Sequence, residues 1–348
     1  MKRLIWIASL SLIFTTGFSQ KYLCLARQAG TKSWGYINQT GEFVIQPRPG
    51  KCMEFSSNGL AVVLPLGSKQ YSFIKSDGAP LLTDISNFRL AEVFGFGVKG
   101  FNDGMVAVKV GEKWGFLNSE GKLAVRTKFD DVTEFYEGYA AAKMGDQFYI
   151  IDKNGAETKA ESDQTKDVKH FSDGLAPYYT QDKRAGFVDT KGSIAIPARY
   201  QTVGYFIDGV AWAKTAEGKV GYINKKGEWV INPQFDAGKD FDPQSKMAMI
   251  RIGKVWDYIN DKGEKLNMTL DGYGDYAEGL CWGKQGLKVG FFDNSGNWVI
   301  TPQFDAVRDF KNGYAAAKQG DVWGIINKKG DWVVRPSFDG IRDLEKVK

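Results

Sequence analysis

One histidine and three cysteines carry the most obvious chemical potential in this 348-residue chain. His170 stands alone, whereas metal sites usually combine several histidines or cysteines at close spacing. A catalytic triad requires a base that reaches a nucleophile, and the residues around His170 show no such grouping. We therefore interpret His170 as a surface or loop residue and predict neither a metal site nor catalytic residues.

A glycine-rich run at 95–100 (GFGVKG) matches the dinucleotide-binding pattern. That pattern binds a pyrophosphate only where it joins a strand to a helix. Here the run leads instead into Phe101, Asn102, a glycine turn and a strand. We interpret it as a loop and predict no cofactor.

Acidic residues offer a second possible chemistry, because two carboxylates can hydrolyse a glycosidic bond. Asp130, Asp131 and Glu134 lie close together in the chain. The position of Asp130 is, however, occupied by aspartate in other parts of the chain, so we expect this residue to serve the fold. The matching residues are Asp236, Asp305 and Asp339. We predict that the chain is not an enzyme and keep a carboxylate enzyme as an alternative.

Three tryptophans share one position in a repeated pattern, two residues after a recurrent glycine: Trp229, Trp298 and Trp332. Exposed, they would form a row of flat apolar faces that suits sugar rings or a partner protein. Buried, they would belong to the core, which is the interpretation we favour. They are the candidate binding residues if they are exposed.

These residues belong to a short repeat, which begins with a Trp-Gly-aromatic-aliphatic run or a degenerate copy of it. Nine copies start along the chain, and each has a glycine six residues after its second position. The mean period of about 36 residues lies in the range of known repeat units. The recurrent glycines are Gly41, Gly78, Gly121, Gly155, Gly192, Gly227, Gly263, Gly296 and Gly330.

Each part of the repeat predicts a strand or a turn. The Trp-Gly run combines aromatic and β-branched residues without a helical period, which indicates a strand. The recurrent glycine predicts a hairpin loop, a type I turn with a bulge that needs a positive φ. A returning strand ends near a proline, and a small apolar strand precedes the run. The sequence thus predicts an all-β fold of about nine three-stranded antiparallel units.

The units must stack, because the Trp-Gly strand has apolar residues on both faces and a three-stranded sheet cannot cover both. Cys24 and Cys281 occupy a position that is otherwise alanine or valine, so we interpret them as packed free thiols; Cys52 lies outside it. Whole units at both ends favour an open or superhelical solenoid. A closed β-propeller is the alternative, although propellers typically have four to eight blades of four strands.

The repeat resembles the bacterial WG-repeat proteins, named for the pair seen at Trp34-Gly35, Trp114-Gly115 and Trp323-Gly324. The resemblance covers residues 20–348 and also includes the turn glycine, the Val-Ile-x-Pro-x-Phe-Asp segment and the Phe-x-x-Gly segment. It implies a β-rich repeat region, often exported, with no common biochemical activity and no catalytic residues.

The first 19 residues have the pattern of a signal peptide: Lys2 and Arg3, an apolar run, then small residues at Gly17 and Ser19. The apolar run is short for a membrane span, so we expect no membrane span after cleavage. Positive and negative residues are interspersed in the rest, which disfavours nucleic acid as a partner. We expect an exported, non-catalytic binding or scaffold protein with a protein or envelope-polymer partner. A carbohydrate-binding module is an alternative.

Cleavage after Ser19 is directly testable. N-terminal sequencing of the protein recovered from the cell envelope or medium should give Gln20 as the first residue. Replacing apolar Leu10 and Leu12 by arginine should trap the chain in the cytoplasm, because the apolar stretch is what the export machinery recognises. A secreted protein that still starts at Met1 would contradict the prediction.

Overall fold

A computed structural model describes residues 21–93, 97–161 and 164–347. The predicted signal peptide therefore lies outside the described residues, as do positions 94–96 of the glycine-rich run. The described residues form strands and turns only, with no helix. No helix that could cross a membrane occurs in this part of the chain.

The strands form nine consecutive antiparallel units, most of them with four strands in the order first, second, third and fourth. Units 1 to 3 contain β1 (Lys21–Gln28), β2 (Trp34–Ile37), β3 (Phe43–Arg48); β4 (Gly50–Cys52), β5 (Leu60–Pro65), β6 (Ser72–Lys75), β7 (Pro80–Leu81); β8 (Arg89–Leu90), β9 (Glu92–Val93), β10 (Gly97–Val98), β11 (Met105–Val110), β12 (Lys113–Asn118) and β13 (Leu123–Phe129).

Units 4 to 6 repeat the arrangement with little variation. They contain β14 (Asp131–Val132), β15 (Tyr139–Met144), β16 (Gln147–Asp152), β17 (Glu157–Lys159); β18 (Thr165–Val168), β19 (Leu175–Thr180), β20 (Ala185–Asp189), β21 (Ile194–Tyr200); β22 (Thr202–Val203), β23 (Val210–Lys214), β24 (Val220–Asn224) and β25 (Trp229–Phe235).

Unit 7 has three strands, and units 8 and 9 return to four. They contain β26 (Ala237–Gly238), β27 (Met247–Ile252), β28 (Val255–Asn260); β29 (Gly272–Ala277), β30 (Leu280–Gln285), β31 (Lys288–Phe292), β32 (Trp298–Phe304); β33 (Ala306–Val307), β34 (Tyr314–Gln319), β35 (Val322–Asn327) and β36 (Trp332–Val347).

The prediction of three strands per unit is wrong for most units, because a short additional strand precedes the three that were predicted. In unit 4 this is β14, which pairs with β15 and turns back through Glu137 and Gly138. Both turn residues have positive φ, 52° and 87°, as a two-residue type I′ hairpin turn requires. The Asp-Gly and Asn-Gly pairs before other second strands are the sequence signal for the same hairpin turn.

The recurrent turn glycine behaves as predicted. All nine have φ between 77° and 87°. In unit 1 the N–H of Gly41 donates to the carbonyl of Asn38, and the N–H of Asn38 donates to Glu42. This pattern is the type I turn with a bulge, which places residues other than glycine under strain.

The glycine of the Trp-Gly pair has a separate role, which is a close backbone contact. An added Cβ at Gly35 would lie 2.7 Å from the carbonyl oxygen of Ile45 on the fourth strand. All six units with this glycine have a register shift in the fourth strand at this point. Units 2, 4 and 7 have Ser72, Tyr149 and Asp257 instead, and their fourth strands are short and regular or reduced to one bridge.

Neighbouring units pack through apolar clusters. Among the described residues there are nine such clusters, and each joins two consecutive units. The ninth joins Cys24 and Ile37 of unit 1 to Ala316 and Ile325 of unit 9. Nine units with nine shared interfaces form a ring, since an open array of nine would have eight.

The chain ends complete this ring. The second half of β36 pairs with β1, with Cys24 opposite Leu344, and supplies the first strand of unit 1. The all-β class and the antiparallel repeat units are confirmed. The preference for an open solenoid is corrected in favour of the closed ring, because one strand continues from unit 9 into unit 1.

The position of the second strand that the repeat fills with small apolar residues lies in the core, as predicted. Cys24 and Cys281 are fully buried free thiols. Burial raises the pKa of the Cys281 thiol to about 12 and also raises the pKa of Cys24. Cys52 is half-buried in β4, outside that position.

The close approach at the Trp-Gly glycine predicts a position-dependent cost. Gly221→Ala should lower the free energy of unfolding by about 1–3 kcal/mol, because the new methyl group overlaps the fourth strand at Ile231 and Pro233. Ser72→Ala, the matched change in a unit without that approach, should change it by less than about 0.5 kcal/mol. Urea unfolding followed by tryptophan fluorescence measures both, and equal effects would contradict the explanation.

Candidate functional site

The first strands of the units converge at the inner edge of the ring. Side chains of units that are two apart in the ring meet there, whereas the outer strands are too far from one another for such contacts. One cavity of about 500 Å³ is lined by Phe55 of unit 2, Asn102 of unit 3, Lys311 of unit 9 and Lys346 of unit 1. We call the surface formed by the first strands and the residues up to their turns the inner edge.

His170 lies at the inner edge between two tyrosine rings. Its ring centroid is 4.1 Å from that of Tyr136 in unit 4 and 4.0 Å from that of Tyr205 in unit 6, with nearly parallel planes. Burial lowers the pKa of His170, and the Glu134 carboxylate opposes this shift. His170 lies outside the strands, between β18 and β19, as expected for a loop residue, but it is half-buried and links three units.

A cavity of about 270 Å³ opens beside this stack, between units 4 and 5. Its charged groups are arranged in pairs: Lys99 donates to Glu134 at 2.8 Å, and Lys169 donates to Asp167. Lys143 lies 5.5 Å from the centre of the Phe148 ring and forms no ion pair within the described residues. Asp131, Thr133, Val168 and Tyr205 complete most of the lining.

Ion pairs connect consecutive units along the inner edge. In each pair, a basic residue two positions before the phenylalanine that follows the first strand reaches an acidic residue of the next unit. Lys239 lies 2.8 Å from Asp275, and Arg308 lies 3.1 Å from Asp343. The Lys99–Glu134 pair follows the same rule. The inner edge is thus a belt of alternating charge that no single repeat contains.

Two acids of this belt form no ion pair within the described residues. Burial raises the pKa of Asp240 to about 6, and one of its carboxylate oxygens has no hydrogen-bond partner among the described residues. The pKa of Asp309 is raised by burial and by the carboxylates of Asp275 and Asp343. Asp309 and Asp343 line one cavity of about 360 Å³ together with Trp282.

The acids singled out from the sequence separate into two places. Asp130 binds Lys113 and accepts a hydrogen bond from the N–H of Gly145 at 2.7 Å, at the opposite strand end. Asp236 and Asp305 make the same two contacts, which supports the structural role expected for this position. Asp131 and Glu134 line the inner cavity instead.

A second ladder holds the type I′ turns of neighbouring units together. Asp173 at the turn of unit 5 accepts a hydrogen bond from Gly209 N–H of unit 6 at 2.7 Å. Its other oxygen binds Lys225 of unit 6, also at 2.7 Å. Such contacts position the inner edge, and the sequence signal for them is an acidic residue before the turn glycine together with a lysine of the next unit, here 52 residues later.

The tryptophan candidates lie away from the inner edge, each on a fourth strand. Trp229, Trp298 and Trp332 are half-buried and pack on core clusters. Trp229 meets Tyr200 edge-on at 5.7 Å, and Trp298 and Trp332 meet Phe292 and Phe304 in the same way. The three rings do not stand as a row of free faces.

The glycine-rich run is partly described. Val98 is buried with Phe101 in the cluster between units 2 and 3, and Lys99 reaches the inner cavity. The segment continues into a bridge between Asn102 and Met105 and then β11, so no helix follows it. Within the described residues, no group of histidine, cysteine and acidic side chains is arranged to hold a metal ion.

A closed ring of small antiparallel sheets, with a charged and aromatic inner edge, defines this chain as a β-propeller protein with nine sheets. The profile of the WG containing repeat family matches residues 34–64, 114–148, 186–219, 221–256, 290–323 and 323–346. The chain therefore belongs to the WG-repeat family.

Three solved structures are similar to this chain, of which the first supports the fold and nothing beyond it, and the other two carry no argument. A eukaryotic initiation factor superimposes with a TM-score of 0.60 at 13% identity, covering 94% of this chain and 97% of that chain. The computationally designed protein Ika8 gives 0.46 at 12% identity, covering 82% and 96%. BamB from Moraxella catarrhalis gives 0.37 at 13%, covering 72% and 87%. None of the curated proteins compared matches this chain significantly.

Proposed function

We propose that this chain is an exported, non-catalytic binding protein that holds a protein or envelope-polymer partner at its inner edge. The observation that carries the proposal is the cavity between units 4 and 5, where Lys143 and the Tyr136–His170–Tyr205 stack lie beside ordered ion pairs. Convergent polar groups beside aromatic rings in a preformed cavity are typical of binding sites.

The rigidity of this cavity also supports binding. His170 is held on both ring faces, and Lys99 and Glu134 come from different units. Side chains held in place by neighbours lose little conformational freedom when a ligand arrives, so less affinity is lost. Repeat arrays commonly use such multi-unit surfaces to bind extended partners.

Cross-linking in the native host tests this proposal. A photoreactive amino acid at Asp131, which is exposed at the cavity mouth, should give one discrete adduct. Lys143→Glu should reduce that adduct about tenfold, because it replaces the one cavity lysine without an ion pair among the described residues by a carboxylate that repels an anionic partner group. Protease treatment of the adduct separates a protein partner from a polymer.

The matched control uses Lys226, an exposed residue of the unit 6 hairpin loop outside the cavity. A photoreactive group there should give no adduct, and Lys226→Glu should leave the Asp131 adduct unchanged. Adducts from both positions, or an Asp131 adduct that survives Lys143→Glu in a folded variant, would exclude the inner cavity as the binding site.

A second candidate function, hydrolysis of a glycosidic bond, has one specific observation in its favour. Asp309 and Asp343 line the same cavity, and their environments differ. Asp309 has a raised pKa, whereas Asp343 is bound by Arg308 at 3.1 Å. A carboxyl group with a raised pKa can serve such enzymes as the general acid, while a second carboxylate serves as nucleophile or base.

This alternative predicts activity that depends on Asp309. Release of reducing ends from cell-wall polysaccharides should fall at least about a hundredfold in Asp309→Asn, since a general acid contributes that much. It should also decline as pH rises through the Asp309 pKa, because the proton to be donated is lost. Asp240→Asn, a control acid with a raised pKa outside that cavity, should be fully active. An inactive native protein would exclude this function for the polysaccharides assayed.

A further inference from the structure

Exposed aliphatic side chains are concentrated at one end of the ring. The turns between second and third strands all lie at this end, which we call the tip face. Five of the nine large apolar residues that are exposed in the described part of the chain belong to these turns or their flanking positions. They are Leu66, Val110, Ile252, Val255 and Leu287, with exposed fractions of 76%, 36%, 41%, 67% and 85%.

These residues form two groups on opposite sides of the ring. Leu66 and Val110 belong to units 2 and 3, whereas Ile252, Val255 and Leu287 belong to units 7 and 8. In a ring of nine units the two groups are five steps apart in one direction and four in the other. One flat surface can therefore contact both groups at once, which a small partner cannot.

Each group is accompanied by cationic side chains. Lys69, three residues after Leu66, lines one cavity with Arg89, Lys109 and the acidic Glu92. The Glu112 carboxylate lies 3.1 Å from both Arg89 and Lys109, and Lys69 has no ion pair among the described residues.

The second group combines cationic and acidic side chains, since Asp236 and Asp271 accept hydrogen bonds from the turn N–H groups of Gly253 and Gly286. Lys254 stands between Ile252 and Val255 in the exposed turn and forms no ion pair within the described residues. Arg251 lies 5.8 Å from the centre of the Trp256 ring. None of the exposed large apolar residues of the described chain lies in the corresponding turns of units 1, 4, 5, 6 and 9, and Asp146 and Asp321 occupy the tips of units 4 and 9.

We propose that the tip face docks flat on an anionic lipid bilayer, with the Leu66 and Leu287 groups as two anchors. Exposed aliphatic residues gain by entering the boundary between headgroups and acyl chains, and nearby lysines gain from anionic headgroups. Two anchors on one rigid ring bind together more tightly than either alone, because the second contact becomes intramolecular. This proposal is independent of the partner at the inner edge.

Vesicle co-sedimentation of the mature protein is the test. With phosphatidylcholine vesicles containing about one third phosphatidylglycerol, the native protein should sediment, and added salt should weaken binding. Leu66→Asp and Leu287→Asp should each reduce the bound fraction, and the double variant should reduce it by about tenfold or more. Val230→Asp is the matched control, because Val230 is 50% exposed on the fourth strand of unit 6, away from the turns.

Three outcomes would overturn the proposal. One is absence of sedimentation with the anionic vesicles. Another is equal binding to pure phosphatidylcholine, which would remove the role of the lysines. The third is an equal loss in Val230→Asp, or a loss that comes entirely from one anchor, since neither fits a flat two-point contact. Circular dichroism of each variant confirms that it is folded.

Discussion

Each sheet of this protein is apolar on both faces, and the whole ring depends on covering them. The third strand carries Phe116 and Leu117 on alternate faces, and both are fully buried, each in a cluster with a different neighbouring unit. A terminal sheet in an open stack would leave one such face in water, which costs about 25 cal/mol for each Å² of apolar surface. Pairing of β36 with β1 removes both terminal faces at once.

The closed ring in turn creates the inner edge. Short first strands bring Lys99, Glu134 and His170 of three successive units together, although they are more than 30 residues apart in the chain. The ladder of acidic residues at the type I′ turns holds these strands in register, as Asp173 does with Gly209 and Lys225. The inner edge is therefore a product of contacts between units.

The inner edge and the tip face differ in their chemistry. At the inner edge, ion pairs link neighbouring units and the rings around His170 are stacked, which suits specific recognition in a fixed geometry. At the tip face, aliphatic side chains and unpaired lysines project into solvent, which suits a soft and extended surface. A ring that is attached by its tip face keeps the inner edge accessible, so the two proposed interactions are compatible.

The nine units, their turn glycines and their hairpins could be predicted from the sequence, because these features are local: a positive φ at Gly41 depends on its own turn. The first strands were missed, since pairs of residues such as Thr202–Val203 are too short to show a period. Closure could not be predicted, because the pairing of Cys24 with Leu344 joins the two ends of the chain.

The same division applies to the candidate site. Asp130 repeats at a fixed position, so its structural role could be predicted from the sequence. His170 occurs once, and its stack with Tyr136 and Tyr205 exists only when three units meet around an axis. Repetition thus determined the unit and its turns, whereas the tertiary structure alone decided which non-repeating side chains lie together, because that depends on ring closure.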